Sequence, residues 1–123
     1  MIKIFGEMHF TDDVIRIRDE IIEFNPSVIL HELYEDDKDF FTNLGFVIKP
    51  LEHFSDCSFE QREQNMLMSI LLYSKYYDHI SVIVGDTHLR SYPVDDLGAS
   101  CIYETFKDDP KVEMLRSPHR EVS

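Results

Sequence analysis

The sequence predicts an α/β fold with a compact, mainly parallel sheet and helices packed on it. Three observations carry that expectation. Short aliphatic and β-branched runs recur along the chain, at Ile2–Phe5, Val28–Leu30 and Ile80–Val84. Between them lie longer segments whose apolar residues repeat at helical spacing. The first strand, helix and second strand also fit within about thirty residues, the size of a βαβ unit, which implies parallel strands.

Ile2 to Phe5 reads as a buried opening strand, ended by Gly6. Thr11 is the expected N-cap of the first helix, with Asp12 and Asp13 in the first turn, where acids suit the helix dipole. Val14, Ile17, Ile21 and Phe24 form the apolar stripe, which Ile15 and Ile22 widen, and Asn25-Pro26 stops the helix. Ser27 to His31 is the second strand, and its unbroken apolar core fits cover on both faces. A short helix is expected over Asp36–Leu44, closed by Gly45, and a third strand over Phe46–Leu51. Ser58 and Gln61 have capping-box spacing and start the longest helix, which should reach Tyr77. Ile80 to Val84 is the next strand and Ile102 to Phe106 the expected last one. One domain is expected over residues 1–106, with a loose polar tail over 107–123.

With 123 residues, 43% of them hydrophobic, the chain can bury a core as one domain. Its 24 acids against 12 bases give a net charge of -12, which disfavours binding to a nucleic-acid backbone. Cys57 and Cys101 lack the spacing of a zinc knuckle or a disulfide framework and are expected to be reduced and mostly buried. No apolar stretch approaches a membrane span, so no membrane role and a cytoplasmic location are expected.

The candidate site rests on a repeated turn. Ile4-Phe5-Gly6-Glu7-Met8-His9-Phe10 aligns with Ile83-Val84-Gly85-Asp86-Thr87-His88-Leu89. Both copies follow an expected buried strand, and in parallel sheets sites gather at the carboxyl ends of strands. If the two strands lie close, Glu7, His9, Asp86 and His88 converge on one rim, joined by Glu32 at the end of the second strand. Imidazole and carboxylate suit a divalent metal of the manganese, cobalt or zinc class, and they equally suit acid–base chemistry near neutral pH. The spacing leaves both open. Glu63 reads as a solvated acid on the first turns of its helix.

Four segments in order resemble a superfamily that groups the TraB/PrgY pheromone-shutdown proteins, the TIKI metalloproteases, the ChaN haem-iron proteins and the erythromycin esterases. They are Gly6-Glu7-Met8-His9, Pro26-Ser27-Val28-Ile29-Leu30-His31-Glu32, Arg62-Glu63-Gln64-Asn65-Met66 and Val82-Ile83-Val84-Gly85-Asp86-Thr87-His88-Leu89. The resemblance spans roughly Met1 to Phe106, as a shortened member without the helical insertions of its relatives. It implies the core shared by the ChaN and erythromycin-esterase proteins. It also implies Glu7, His9, Glu32, Arg62 and His88 as the catalytic set, with Arg62 stabilising an anionic oxygen or holding a carboxylate. In its metal form, Glu7, His9, Glu32, Asp86 and His88 supply the ligands.

The expected activity is hydrolysis of an ester or amide in a small-molecule or peptide substrate, with or without one metal ion. The alternative is a non-catalytic, TraB-like module that binds a protein partner. Tyr73, Tyr76 and Tyr77 on the long helix offer such a module an interface, or a surface for a homodimer. Gly85-Asp86-Thr87-His88 also resembles the opening of calcineurin-like phosphoesterases, but the later turns that would complete two metal sites are missing after His88.

Overall fold

The computed structural model describes residues 1–51, 58–93 and 97–119. Five strands, β1 (Ile2–Glu7), β2 (Val28–His31), β3 (Ile48–Pro50), β4 (Ile80–Gly85) and β5 (Val112–Leu115), form one sheet in the order β3-β2-β4-β1-β5. Every pairing is parallel. The helices are α1 (Thr11–Phe24), α2 (Tyr34–Asn43), α3 (Phe59–Tyr73) and α4 (Cys101–Phe106), and a 3-10 turn, Asp86–Leu89, follows β4 directly.

Side-chain alternation along each strand divides the core in two. Ile4, Val28, Leu30, Val82 and Val84 pack with Met66 and Ile70 of α3 and with Ile102 and Phe106 of α4. Phe5, Ile29 and Ile83 pack on the other face with Ile17 and Ile21 of α1 and Phe41 of α2. The strands are covered on both faces, as the unbroken apolar run of β2 requires. Among the described residues no helix is long and apolar enough to cross a membrane.

Several sequence expectations are corrected. Thr11 lies inside α1, whose N-cap is Phe10, with no side-chain cap. Ile15 and Ile22 do not widen the buried stripe; they are 55% and 43% exposed. Ser58 does cap α3, accepting from the Gln61 N–H at 3.1 Å, but the helix ends at Tyr73 rather than Tyr77. Residues 102–106 are helical because Ser100 caps the segment and Ile102 and Phe106, four apart, bury one face.

Within the expected loose tail, the described residues include a fifth strand. Val112–Leu115 pairs with β1, with Val112 and Met114 turned to one core and Leu115 to the other. The exposed Glu113 and the charged segment before it hide this edge strand from a search for apolar runs. Cys101 is a half-buried free thiol, and Cys57 lies outside the described residues.

Candidate active site

β4 lies between β2 and β1. The chain leaves β1 and β2 into helices on one face of the sheet, whereas it leaves β4 toward α4 on the other. Such a switch opens a crevice at the carboxyl ends of the strands. Glu7 is the register partner of Gly85, and the Glu32 N–H binds the Ile83 carbonyl at 2.9 Å. Glu7 and Glu32 therefore flank the end of β4, two strand spacings or about 10 Å apart. Strand alternation sends Glu7 toward α1 and α2, and Glu32 toward α3.

On the α3 side, charged groups form a continuous chain. Glu32 Oε1 accepts the Gly85 N–H at 2.8 Å. Its Oε2 meets Arg62 Nη2 at 2.9 Å and His88 Nε2 at 3.2 Å. His88 Nδ1 lies 2.9 Å from Glu63 Oε2. Glu63 is 2% exposed and also receives both terminal nitrogens of Arg90, one of them at 3.0 Å from Oε1. Arg90 is closed on all sides, donating further to the carbonyls of Gly98 at 2.6 Å and Thr87 at 3.1 Å. Phe59 stacks on the His88 ring at 4.8 Å, and Ser100, while capping α4, donates to the His88 carbonyl.

This arrangement fixes charge. Both His88 nitrogens face ionised carboxylates, which only accept, so both carry protons and the ring is an imidazolium. Burial opposes that charge, but the bonds from Glu32 and Glu63 outweigh it and raise the His88 pKa. Burial likewise works against the Glu32 carboxylate, yet His88, the Gly85 N–H and Arg62 bring its pKa down to about 2. Glu63 is also lowered, its burial outweighed by His88 and Arg90.

On the other face Glu7 is 8% exposed and its carboxylate forms no hydrogen bond among the described residues; His9 Nδ1 is 3.6 Å away. Burial raises its pKa, His31 and His9 offset part of that rise, and Asp37 and Asp13 add to it. His9 sits in the left-handed region at φ 64, and its side chain is 58% exposed. A non-glycine residue held there is a local strain of the kind found where a side chain must be aimed. Asp13 secures the turn by accepting the Met8 N–H at 2.8 Å. Beside Glu7, His31 Nε2 lies 2.7 Å from Asp37 Oδ2, and Arg18 Nε donates to Asp37 Oδ1 at 3.1 Å.

The sequence-predicted residues thus fall into three places. Glu32, Arg62 and His88 are in direct contact. Glu7 and His9 form a second group across the end of β4. Asp86 joins neither: Arg116 holds it through Nε at 3.0 Å and Nη2 at 2.7 Å, and the Ser117 N–H donates to it at 2.7 Å. Sequence reasoning missed Arg90, His31 and Asp37, and it took the buried Glu63 for a solvated acid. Glu63 had one signal, its place next to Arg62 on the same helix turn. His31 stood one residue before Glu32, on the opposite face of its strand.

The side chains offer two candidate donor sets for a metal ion. Glu7, His31 and Asp37 offer one ligand atom each within 4.8 Å of one another. However, the Leu33 N–H points at His31 Nδ1 at 3.0 Å, so Nδ1 accepts, the ring proton sits on Nε2, and that proton is given to Asp37. His88 has no free lone pair either. His9 with Glu7 does offer a pair of ligands, short of the three protein ligands usual for catalytic zinc. As arranged, the residues fit acid–base chemistry better than a resident metal.

Comparison of the chain with family models, with curated proteins and with solved structures finds no match.

Proposed function

We propose that the chain is a metal-independent hydrolase of ester or amide bonds. One observation carries the reading: of the two carboxylates flanking the end of β4, Glu7 is buried without a hydrogen bond among the described residues while Glu32 is bound by Arg62, His88 and the Gly85 N–H, which drives their acidities apart. A carboxylate raised toward neutral pH is suited to take a proton, and one held ionised by three donors is suited to position its neighbours. Glu7 is the better base, and His9 links it to solvent. The His88 imidazolium, oriented by Glu63, is the acid.

In the proposed reaction Glu7 takes a proton from a water whose oxygen attacks the carbonyl carbon. The positive charge of the rim, from Arg62 and the His88 imidazolium together, stabilises the oxyanion that develops. The bond to the leaving oxygen or nitrogen then breaks, and that atom takes a proton from His88. Products are the carboxylic acid and the alcohol or amine. Proton return from Glu7 to His88 through solvent resets the site.

The test is hydrolysis of a panel of nitrophenyl esters and anilides by the wild type, Glu7→Gln and His88→Gln, each with and without a chelator. Loss of a general acid or base costs about 100-fold or more in kcat. Equal activity in all three proteins, or none in the wild type against any member, rejects the reading. Activity that disappears only with chelator restores the metal-assisted form.

A second reading has its own observation. Met68, Leu72 and Tyr76, spaced four apart on and just past α3, are 64%, 53% and 76% exposed. An apolar stripe of that kind suits a binding module with a protein partner or a second copy. Sedimentation of the wild type against Leu72→Glu distinguishes the second copy.

A further inference from the structure

Resting on the hydrolase reading, we infer that the substrate carries an anionic oxygen group, a carboxylate or a phosphate, and that Arg62 holds it beside the reacting bond. The structure contains two arginines at this rim, and they differ. Arg90 is 2% exposed and spends its donors on Glu63, Gly98 and Thr87. Arg62 touches Glu32 through Nη2 alone. Its Nε is buried without a partner, while its side chain as a whole stays 31% exposed. A buried N–H without an acceptor costs about 1–3 kcal/mol, so the guanidinium is short of an oxygen. Its planar fork matches the paired oxygens of a carboxylate or phosphate.

Charge favours the same ligand. The chain carries -12 overall and repels anions in general. Here, among the described residues, Arg62, Arg90 and the His88 imidazolium are paired directly with Glu32 and Glu63, three cationic groups on two carboxylates. Arg16 is the informative contrast. Its Nε is also buried and unpartnered, but its other nitrogens are already held by Asp13 and Glu20, on a helix that carries Asp12 and Asp19 besides. An anion meets net negative charge there. The stacked ring of Phe59 gives the uncharged part of a substrate an apolar wall next to His88.

Two measurements test this on the full chain. The first is titration with succinate and with inorganic phosphate, followed by the nitrogen-15 resonances of the arginine Nε–H groups. One resonance shifts and saturates, and it is the one missing from Arg62→Lys and Arg62→Gln; the others stay. No shifted resonance, or comparable shifts at several arginines, overturns the inference. Saturation by succinate alone or by phosphate alone identifies which oxygen group the site takes. The second compares the monomethyl and dimethyl esters of succinic acid. The charged monoester is preferred by about tenfold or more in kcat/KM, and Arg62→Gln erases the preference. A saturable Arg62 shift with no hydrolysis keeps the anion site and removes the hydrolase. Hydrolysis without charge preference and without a shift does the reverse.

Discussion

Glu32 is the residue through which the α3-side cluster should be felt in stability. Its carboxyl falls from an ordinary 4.5 to about 2 in the folded chain, burial being outweighed by His88, the Gly85 N–H and Arg62. A depressed carboxyl stabilises the fold above its unfolded value and loses that contribution as pH falls through the folded value. The window is therefore pH 4.5 down to 2. The full difference corresponds to about 3 kcal/mol, and screening at the rim reduces it to about 2. Below pH 5 His88 is protonated whether folded or not, so it adds nothing in this window. Glu63, Asp37 and Asp13 are lowered too and contribute in the same direction. The comparison with Glu32→Gln isolates one carboxylate from the others. Urea unfolding at pH 5, 4, 3 and 2 should show the wild type losing about 2 kcal/mol more than the variant over that range. Parallel losses in the two proteins would falsify the assignment of Glu32 as an ionised hub.

Other perturbations probe the frame around it. Glu63→Gln leaves Arg90, 3% exposed at its side chain, without its counter-charge and should cost about 3–5 kcal/mol in urea unfolding; a loss under about 1 kcal/mol means that Glu63 is the solvated acid its sequence position suggests. Arg116→Ala strips two bonds from the buried Asp86 and should cost about 2–3 kcal/mol, whereas a loose tail predicts no change. Gly6→Ala brings a methyl to 3.0 Å from the Asp86 Cα and should destabilise by about 1–3 kcal/mol. Gly85→Ala, whose nearest neighbour would be 3.5 Å away, should be neutral or stabilise by about 0.5 kcal/mol, and thermal melts of the two variants should differ accordingly.

The buried elements were legible because their signals are local. β2 and β4 announce themselves by their aliphatic cores, Val28–Leu30 and Val82–Val84, and α3 by the Ser58 cap with Met66 and Ile70 at helical spacing. The rest depends on partners distant in sequence. α4 and β5 are a few residues each, too short for a period to decide between helix and strand. β5 exists because β1 presents an open edge to it, which nothing within residues 112–115 states. Glu63 and Arg90 lie on separate elements and look like ordinary surface charges until the fold buries them face to face.

The twin turns show the limit most clearly. Aligned by sequence, Gly6-Glu7 and Gly85-Asp86 look equivalent, and two matched acids seem bound for one rim. The register offsets them by one residue: Gly6 pairs with Val84, and Glu7 with Gly85. β1 runs on through its acid, whereas β4 stops at its glycine and the next residue already belongs to the 3-10 turn. In a strand one residue is a change of face. Glu7 therefore turns toward His31 and α1, while Asp86 folds back over Gly6, whose missing side chain makes the room, and is claimed by Arg116 and Ser117. The two histidines diverge for the same reason, His9 exposed in a strained turn and His88 buried between carboxylates. A repeat that reads as one symmetric metal cradle thus becomes an asymmetric pair, a carboxylate that burial makes more basic on one side of Gly85 and an imidazole held protonated between two carboxylates on the other. The proposed hydrolysis draws on that inequality, and two equal halves would not supply it.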